Sequence, residues 1–361
     1  MRKILLISNA NSIHTLKWVK ELQNNYKIFL FDWRPVEQAN YKNLDNVTIA
    51  SQKNSFLKRT SFFLFIFSYL KIKKISKQIN PDIVHSHYAT SYGILGVRAK
   101  ENKLITSVWG SDVSDFPNKS WFHKLFLKYV LKKSDYIFST SKFLRKKVKE
   151  ISKRNSIITP FGVEILKDIK VNNSTKTVTF GIAKNMNYSS GIELAIKCFY
   201  RIKKLNKEKN IKFRIAGDGY LKEKIKSLIS ELGLKNDVTL LGHLNHNQIN
   251  KFMSEVDIYI NLPQKESFGV AVLEASAAGK PVIVSDVGGL SEVVKDGVTG
   301  IIVDRKKEDQ IVTAMNEMIM RKDKREIMGE NGMKFVEKNY SWEKSKEIML
   351  NSYNKIINNE I

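Results

Sequence analysis

Two rounds of one rhythm run along this chain of 361 residues, short apolar or β-branched runs alternating with helix-length amphipathic stretches, and no other feature narrows the fold as much. In the first half the strand-like runs are 4–8, 27–31, 47–50, 83–87, 104–108 and 136–140, with helix-like segments such as 15–22, 62–78, 121–131 and 142–151 between them. Runs that are apolar on both faces suit strands covered on both sides, and parallel pairing of successive strands needs a crossover helix. The expectation is an α/β fold built on a parallel sheet. After a polar stretch, Asn172-Asn173-Ser174-Thr175, the rhythm restarts at 177–182, 212–216, 237–241, 258–261, 281–285 and 300–303. This predicts two Rossmann-like, doubly wound domains, 1–165 and 175–340, with a linker near 163–175 and a cleft between them that holds a ligand. The last segment, 341–361, reads as a long amphipathic helix that crosses back to the first domain.

Charge separates the two halves. Residues 1–170 hold 31 Lys and Arg against 12 Asp and Glu, the remainder 30 against 24, within a net charge of +25. Such an excess speaks of partners and not of fold: nucleic acid, an anionic membrane surface or a phosphorylated substrate. No nucleic-acid motif and no basic run interleaved with stacking aromatics accompanies it, so nucleic acid is set aside. A chain that is 42% hydrophobic and 10% aromatic is neither disordered nor fibrous. The strongest apolar run, Phe62 to Phe67 with Tyr69-Leu70 beyond, is about half of what a membrane-spanning helix needs. Flanked by Lys58-Arg59 and by Lys71, Lys73, Lys74 and Lys77, it reads either as a helix lying in an anionic membrane interface or as a core helix with solvated basic ends. Ile4 to Ile7, after Met1-Arg2-Lys3, is shorter than a signal-peptide core and reads as a buried strand. The single cysteine, Cys198, and the absence of zinc-spaced Cys/His pairs fit a reducing cytoplasm.

The densest chemical signal is Glu266-Ser267-Phe268-Gly269-Val270-Ala271-Val272-Leu273-Glu274. Leu262-Pro263 ends a strand, Gly269 lets the backbone approach a ligand, and a helix begins around Val270. The free N–H groups of that helix start, with its dipole, make an anion site suited to a diphosphate. Glu274, in the first turns, is positioned to accept hydrogen bonds from two vicinal hydroxyls such as those of a ribose, and Glu266 to meet what hangs from the far phosphate. Ala216-Gly217-Asp218-Gly219 is either a tight strand-to-helix turn or a ligand contact. In His85-Ser86-His87 both rings share one strand face without a third metal ligand, so His85 reads as a satisfied buried histidine and His87 as the ring that reaches the site. Trp109-Gly110-Ser111-Asp112 ends the fifth strand, Asp112 being the polar candidate at that edge.

The Glu266-x7-Glu274 spacing with Phe268-Gly269 inside it, Gly279-Lys280-Pro281-Val282, Gly288-Gly289 with Glu292, and Asp296-Gly297-Val298-Thr299-Gly300 resemble the pattern of the retaining glycosyltransferases of family four, and the resemblance spans nearly the whole chain. It implies the two-domain GT-B fold, a UDP- or GDP-sugar donor, retention at the anomeric carbon, and no metal or other cofactor, in keeping with the lack of an Asp-x-Asp motif. It implies catalytic roles for Glu266 beside the sugar, Lys184 on the leaving diphosphate, and Asp112. Donor contacts are implied for Glu274 on the ribose, for the backbone of Phe268, Gly269 and Val270, and for Gly217, His243, Asn11 and Ser190, with His14, His87 and Trp109 in the acceptor or sugar pocket. Two positions depart from the family pattern: Ser190 stands where a second lysine is usual, and Trp109 where histidine is common. The change at Ser190 means weaker donor binding, or another lysine in its place. The implied reaction is hexosyl or N-acetylhexosaminyl transfer to a glycan or lipid-linked acceptor in cell-surface polysaccharide biosynthesis, by a cytoplasmic protein that sits peripherally on the inner face of the membrane. The other reading is a catalytically silent scaffold subunit of a glycosyltransferase complex.

Overall fold

The first strand, Lys-Ile-Leu-Leu-Ile, shows why the sheets are parallel and internal: Ile4 to Ile7 have no accessible surface, so neither face of the strand meets water. Among the described residues seven strands, β1 (Lys3–Ile7), β2 (Lys27–Phe31), β3 (Val47–Ile49), β4 (Ile83–His87), β5 (Lys103–Val108), β6 (Tyr136–Ser139) and β7 (Ile157–Ile158), form one sheet in the order β3-β2-β1-β4-β5-β6-β7. Every pairing is parallel, with Ile4 between Ile28 and Ile83 in the central register. Helices return the chain on both sides, and their starts are encoded locally. Ser141 caps the helix Lys142–Ser152 by accepting the Leu144 N–H at 3.1 Å, and Lys153 ends it in the left-handed conformation. Side chains such as Leu5, Ile7, Leu95 and Leu104 fill the core on one side, each stabilising the fold by about 1.5–3 kcal/mol when fully buried.

The second sheet repeats the plan with β8 (Thr177–Ala183), β9 (Asn210–Ala216), β10 (Val238–Gly242), β11 (Ile258–Asn261), β12 (Val282–Ser285) and β13 (Gly300–Val303), in the order β10-β9-β8-β11-β12-β13 and again all parallel. In each sheet the strand order reverses once, between β1 and β4 and between β8 and β11. At such switch points the strand ends part and leave a crevice for ligands.

The computed structural model describes residues 1–51, 62–165 and 177–361, so the expected flank Lys58-Arg59 and the polar stretch 172–175 lie outside the described residues. Two compact units emerge, Met1–Pro160 with Lys346–Ile361, and Phe161–Ser345. Residues 161–163 go with the second unit because Val163 exchanges backbone hydrogen bonds with Tyr340 and Trp342 at 3.0 and 2.9 Å. Among the described residues no helix is long and apolar enough to cross a membrane.

Candidate functional site

In the second unit the switch point delivers Lys184 from the end of β8 and Asn261 from the end of β11. The Lys184 Nζ donates to Asn261 Oδ1 at 3.2 Å and to Glu266 Oε2 at 2.6 Å, each side chain of that ion pair being about one-fifth exposed. Glu266 is fixed in turn, its Oε1 accepting the Ser267 N–H at 3.1 Å and its carbonyl accepting the Gly289 N–H at 3.0 Å. Beneath the pair lies Tyr259, wholly buried, whose hydroxyl donates to the Ala183 carbonyl at 3.2 Å. Burial, and then the negative charges of Glu274 and Glu266, push that hydroxyl above its ordinary range, as expected where both carboxylates face one site.

Four residues singled out in the sequence, Lys184, Gly217, His243 and Glu274, line one open pocket of about 180 Å³, together with Asn185, Leu244 and Ala271. Gly217 is required there. Its φ is +132°, and a Cβ at this position would lie 2.0 Å from the Lys184 carbonyl oxygen, so any side chain would push the lysine strand end away. The helix Val270–Ala277 starts at Gly269 and turns Val270, Ala271 and Glu274 outward while Val272, Leu273 and Ala275 are buried. Phe268 is itself buried, its ring among Phe161 and Tyr340, so its side chain anchors the helix start.

Ser190 does not line this pocket. It is buried, and its hydroxyl donates to the Asn187 carbonyl at 2.7 Å and accepts the Ile192 N–H at 3.4 Å, closing its own turn. The same turn borders a second pocket of about 190 Å³ that also holds Lys197, Gln264 and Arg305. Sequence reasoning did not single out Lys197, Arg305, Asn261 or Tyr259. Asn261 alone carried a readable signal, as the last residue of a strand beside the switch.

In the first unit the switch point gathers His14, His87 and Trp109. The His87 ring lies 4.7 Å from that of Trp109 and the His14 ring 6.1 Å from it, centroid to centroid, while His87 Nδ1 meets Ser8 Oγ at 3.1 Å. Burial, helped by the nearby His14, lowers the His87 imidazole to about 3, so it is neutral at physiological pH and cannot serve as an acid there. His85 is wholly buried with both ring nitrogens engaged, by Tyr353 Oη and by Ser107 Oγ at 2.8 Å.

Asp112, expected to be catalytic, has no accessible surface, and its carboxylate accepts the N–H groups of Ala89, Gly110 and Trp109 at 2.9, 2.8 and 3.2 Å. Burial raises its proton affinity and those backbone donors oppose the rise, the signature of a residue that positions the Trp109 loop. Asn11 joins two loops in the same way, donating to the Pro35 carbonyl at 3.0 Å and accepting the Glu37 N–H at 2.9 Å. Among the described residues no three His, Cys, Asp or Glu side chains are placed to hold a metal ion.

Comparison with known proteins accords with this arrangement. Residues 164–335 match the family described as glycosyl transferases group 1, and residues 3–141 that described as glycosyl transferase 4-like. An uncharacterized glycosyltransferase of Methanocaldococcus jannaschii is 30% identical over 340 residues, 92% of this chain and 91% of that one. Among solved structures, a glycosyltransferase from Rickettsia africae superposes with a TM-score of 0.80 at 19% identity, over 99% of this chain and 98% of that one. The HepE protein of Anabaena, in complex with UDP and glucose, superposes with a TM-score of 0.79 at 15% identity, over 98% of this chain and 100% of the other.

Proposed function

Starting from a chain that belongs to the group 1 glycosyl transferases and carries two Rossmann-like sheets of the GT-B kind, we propose that it moves a sugar from a nucleoside diphosphate sugar to a hydroxyl acceptor with retention of configuration. The observation that carries the reading is the single pocket lined by Lys184, Gly217, His243 and Glu274, with Glu266 bound to Lys184 at its edge. The structure of HepE with UDP and glucose supports a nucleoside diphosphate in a fold of this kind.

In this reading Glu274 accepts the two ribose hydroxyls, and His243 lies toward the base. Lys184 and the N-terminus of the helix Val270–Ala277 face the diphosphate. The Lys184–Glu266 pair is about four-fifths covered, so an arriving diphosphate takes up Lys184 by offering it a charge-assisted contact of the same kind as the one it displaces. Glu266, released from part of that contact, orients the sugar and stabilises the positive charge that develops at its ring. The bond between the anomeric carbon and the phosphate oxygen breaks while the acceptor oxygen joins the anomeric carbon from the same face. The departing phosphate oxygen takes the acceptor's proton, and Lys184 offsets the charge left on the diphosphate. The reading assigns no enzyme nucleophile and asks for no metal. The acceptor is a lipid-linked or growing glycan at the inner face of the cell membrane, a choice supported by the basic excess of residues 1–170.

Thermal unfolding of the purified chain with UDP, GDP, ADP and their sugar conjugates tests this. One nucleotide family should raise the transition, by about 2.7 kcal/mol of stability at a hundredfold excess over Kd. Glu274→Ala should weaken that binding by roughly 1.5–3 kcal/mol, the worth of hydrogen bonds to a charged group. No shift with any nucleotide would sink the proposal and leave a silent subunit as the reading.

A further inference from the structure

The first unit carries two helices with more apolar surface than their neighbours cover. The helix Phe62–Ile79 buries Leu64, Ser68, Ile72, Ser76 and Ile79, a single stripe, and leaves Phe62, Phe63, Ile66, Phe67 and Leu70 exposed, Phe63 by 77%. The helix Trp121–Lys133 buries Leu127, Val130 and Leu131 and exposes Trp121, Phe122, Leu125 and Tyr129, the first two by 63% and 64%. Both pack against the helix Ser91–Ala99, so the two uncovered faces lie on the same side of the sheet. Large apolar side chains grouped in this way mark a surface made for a partner.

The charges say which partner. Neither helix contains an acidic residue, whereas Lys71, Lys73, Lys74 and Lys77 follow the aromatic half of the first, and Lys124, Lys128, Lys132 and Lys133 accompany the second. At about 100° per residue, Trp121, Leu125, Tyr129 and Phe122 share an arc of roughly 100°, bracketed by Lys128 and Lys133. Two of the lysines lie over the rings, Lys71 Nζ 3.8 Å from the Phe67 centroid and Lys133 Nζ 5.9 Å from that of Tyr129, so positive charge and aromatic surface are interleaved. A second copy of the chain would bring like charges together on this face. Nucleic acid would find aliphatic Ile66, Leu70 and Leu125 where stacking rings are needed. A layer with apolar depth beneath a negative surface satisfies both halves of the pattern.

We propose that this side of the first unit docks on an anionic lipid bilayer, Phe62, Phe63, Trp121, Phe122 and Leu125 entering the headgroup boundary and the lysines meeting acidic lipid. The inference deepens the reading of a membrane-borne acceptor and rests on it only for the purpose of docking, since lipid binding requires no donor and nucleotide binding requires no lipid.

Flotation of the full chain with vesicles of phosphatidylcholine, with and without phosphatidylglycerol, tests it. The chain should float with the anionic vesicles, lose that binding as salt is raised, and stay behind with phosphatidylcholine alone. Trp121→Ser combined with Phe122→Ser should weaken binding by roughly tenfold or more while leaving the nucleotide-induced thermal shift unchanged. Equal binding of variant and wild type, equal binding to both vesicles, or binding to neither overturns the proposal. Self-association of the wild type on this face without vesicle binding overturns it in favour of a dimer interface. If the circular dichroism of the double variant departs from that of the wild type, its first unit has lost its fold, and Lys132→Glu with Lys133→Glu decides instead, a tenfold loss supporting the proposal and no change overturning it. Vesicle binding by a wild type that shows no nucleotide shift would leave the docking surface standing and remove the transferase reading.

Discussion

His87 sits neutral in a site that an unfolded chain would not provide, and the consequence is a measurable pH dependence. Its imidazole, ordinarily near 6.5, is lowered to about 3 by burial and by His14, so between those values the unfolded chain binds a proton that the folded one refuses. Its share of stability is therefore whole above about pH 6.5 and is lost as pH falls toward 3, at up to about 1.4 kcal/mol per pH unit. Asp32 and Asp112, raised by burial, act in the opposite sense. The difference between wild type and His87→Gln thus isolates the histidine: unfolding free energies from pH 7 to 4 should fall less steeply in the variant, and parallel curves would show that His87 is not buried in its neutral form. The same scale shows what a sequence leaves out: Asp112 holds the Ala89 N–H besides those of its own loop, and Asn11 binds the backbone of Pro35 and Glu37, partners that a sequence does not display.

At the scale of elements, the site depends on one crossing of loops. Gly288, at φ +57°, brings its Cα so close to Glu266 that an added Cβ would lie 1.8 Å from the Glu266 carbonyl oxygen. Gly288→Ala should therefore move the Glu266 loop, cost more than about 1 kcal/mol of stability for the strained φ alone, and weaken nucleotide binding with it. Thermal unfolding with and without UDP reads both effects, and retention of the wild-type shift would show that Glu266 tolerates the displacement. Much of this organisation is legible in the residues. Strands such as Ile4 to Ile7 and Val282–Ser285 announce themselves because burial on both faces demands uninterrupted apolar runs, and Gly217, Gly269 and Glu274 because a turn, a helix start and a carboxylate recur in order. The edge strand Ile157–Ile158 does not, since two residues carry no period. Nor does the sequence show that the Ser190 hydroxyl closes the turn at Asn187, because a serine's partner in a loop leaves no pattern.

For the whole molecule, the chain leaves the first unit at Pro160, builds the second, and gives its last residues, Lys346–Ile361, back to the first. That return completes a core. Met349, Tyr353 and Ile356 are buried, the Tyr353 ring stands 5.6 Å from Tyr26 and 6.3 Å from Phe138, and its hydroxyl engages His85 Nδ1. Tyr26 Oη donates to Asn354 Oδ1 at 3.0 Å, and Lys103 Nζ reaches the Ile356 carbonyl. Removing an aromatic ring from such a site costs about 3–5 kcal/mol, and here it also strips a partner from a buried histidine. Tyr353→Ala should accordingly lower the unfolding transition of the first unit far more than Tyr353→Phe, which keeps the ring and forfeits about 1–3 kcal/mol with the hydroxyl. Under the proposed function the nucleotide-binding pocket is lined by residues of the second unit, so the nucleotide-induced shift should survive in both variants. Unfolding followed by circular dichroism, with UDP present and absent, separates these outcomes. If Tyr353→Ala melted like the wild type, the last residues would be an appendage to the first unit, and His85 would need another reason for its burial.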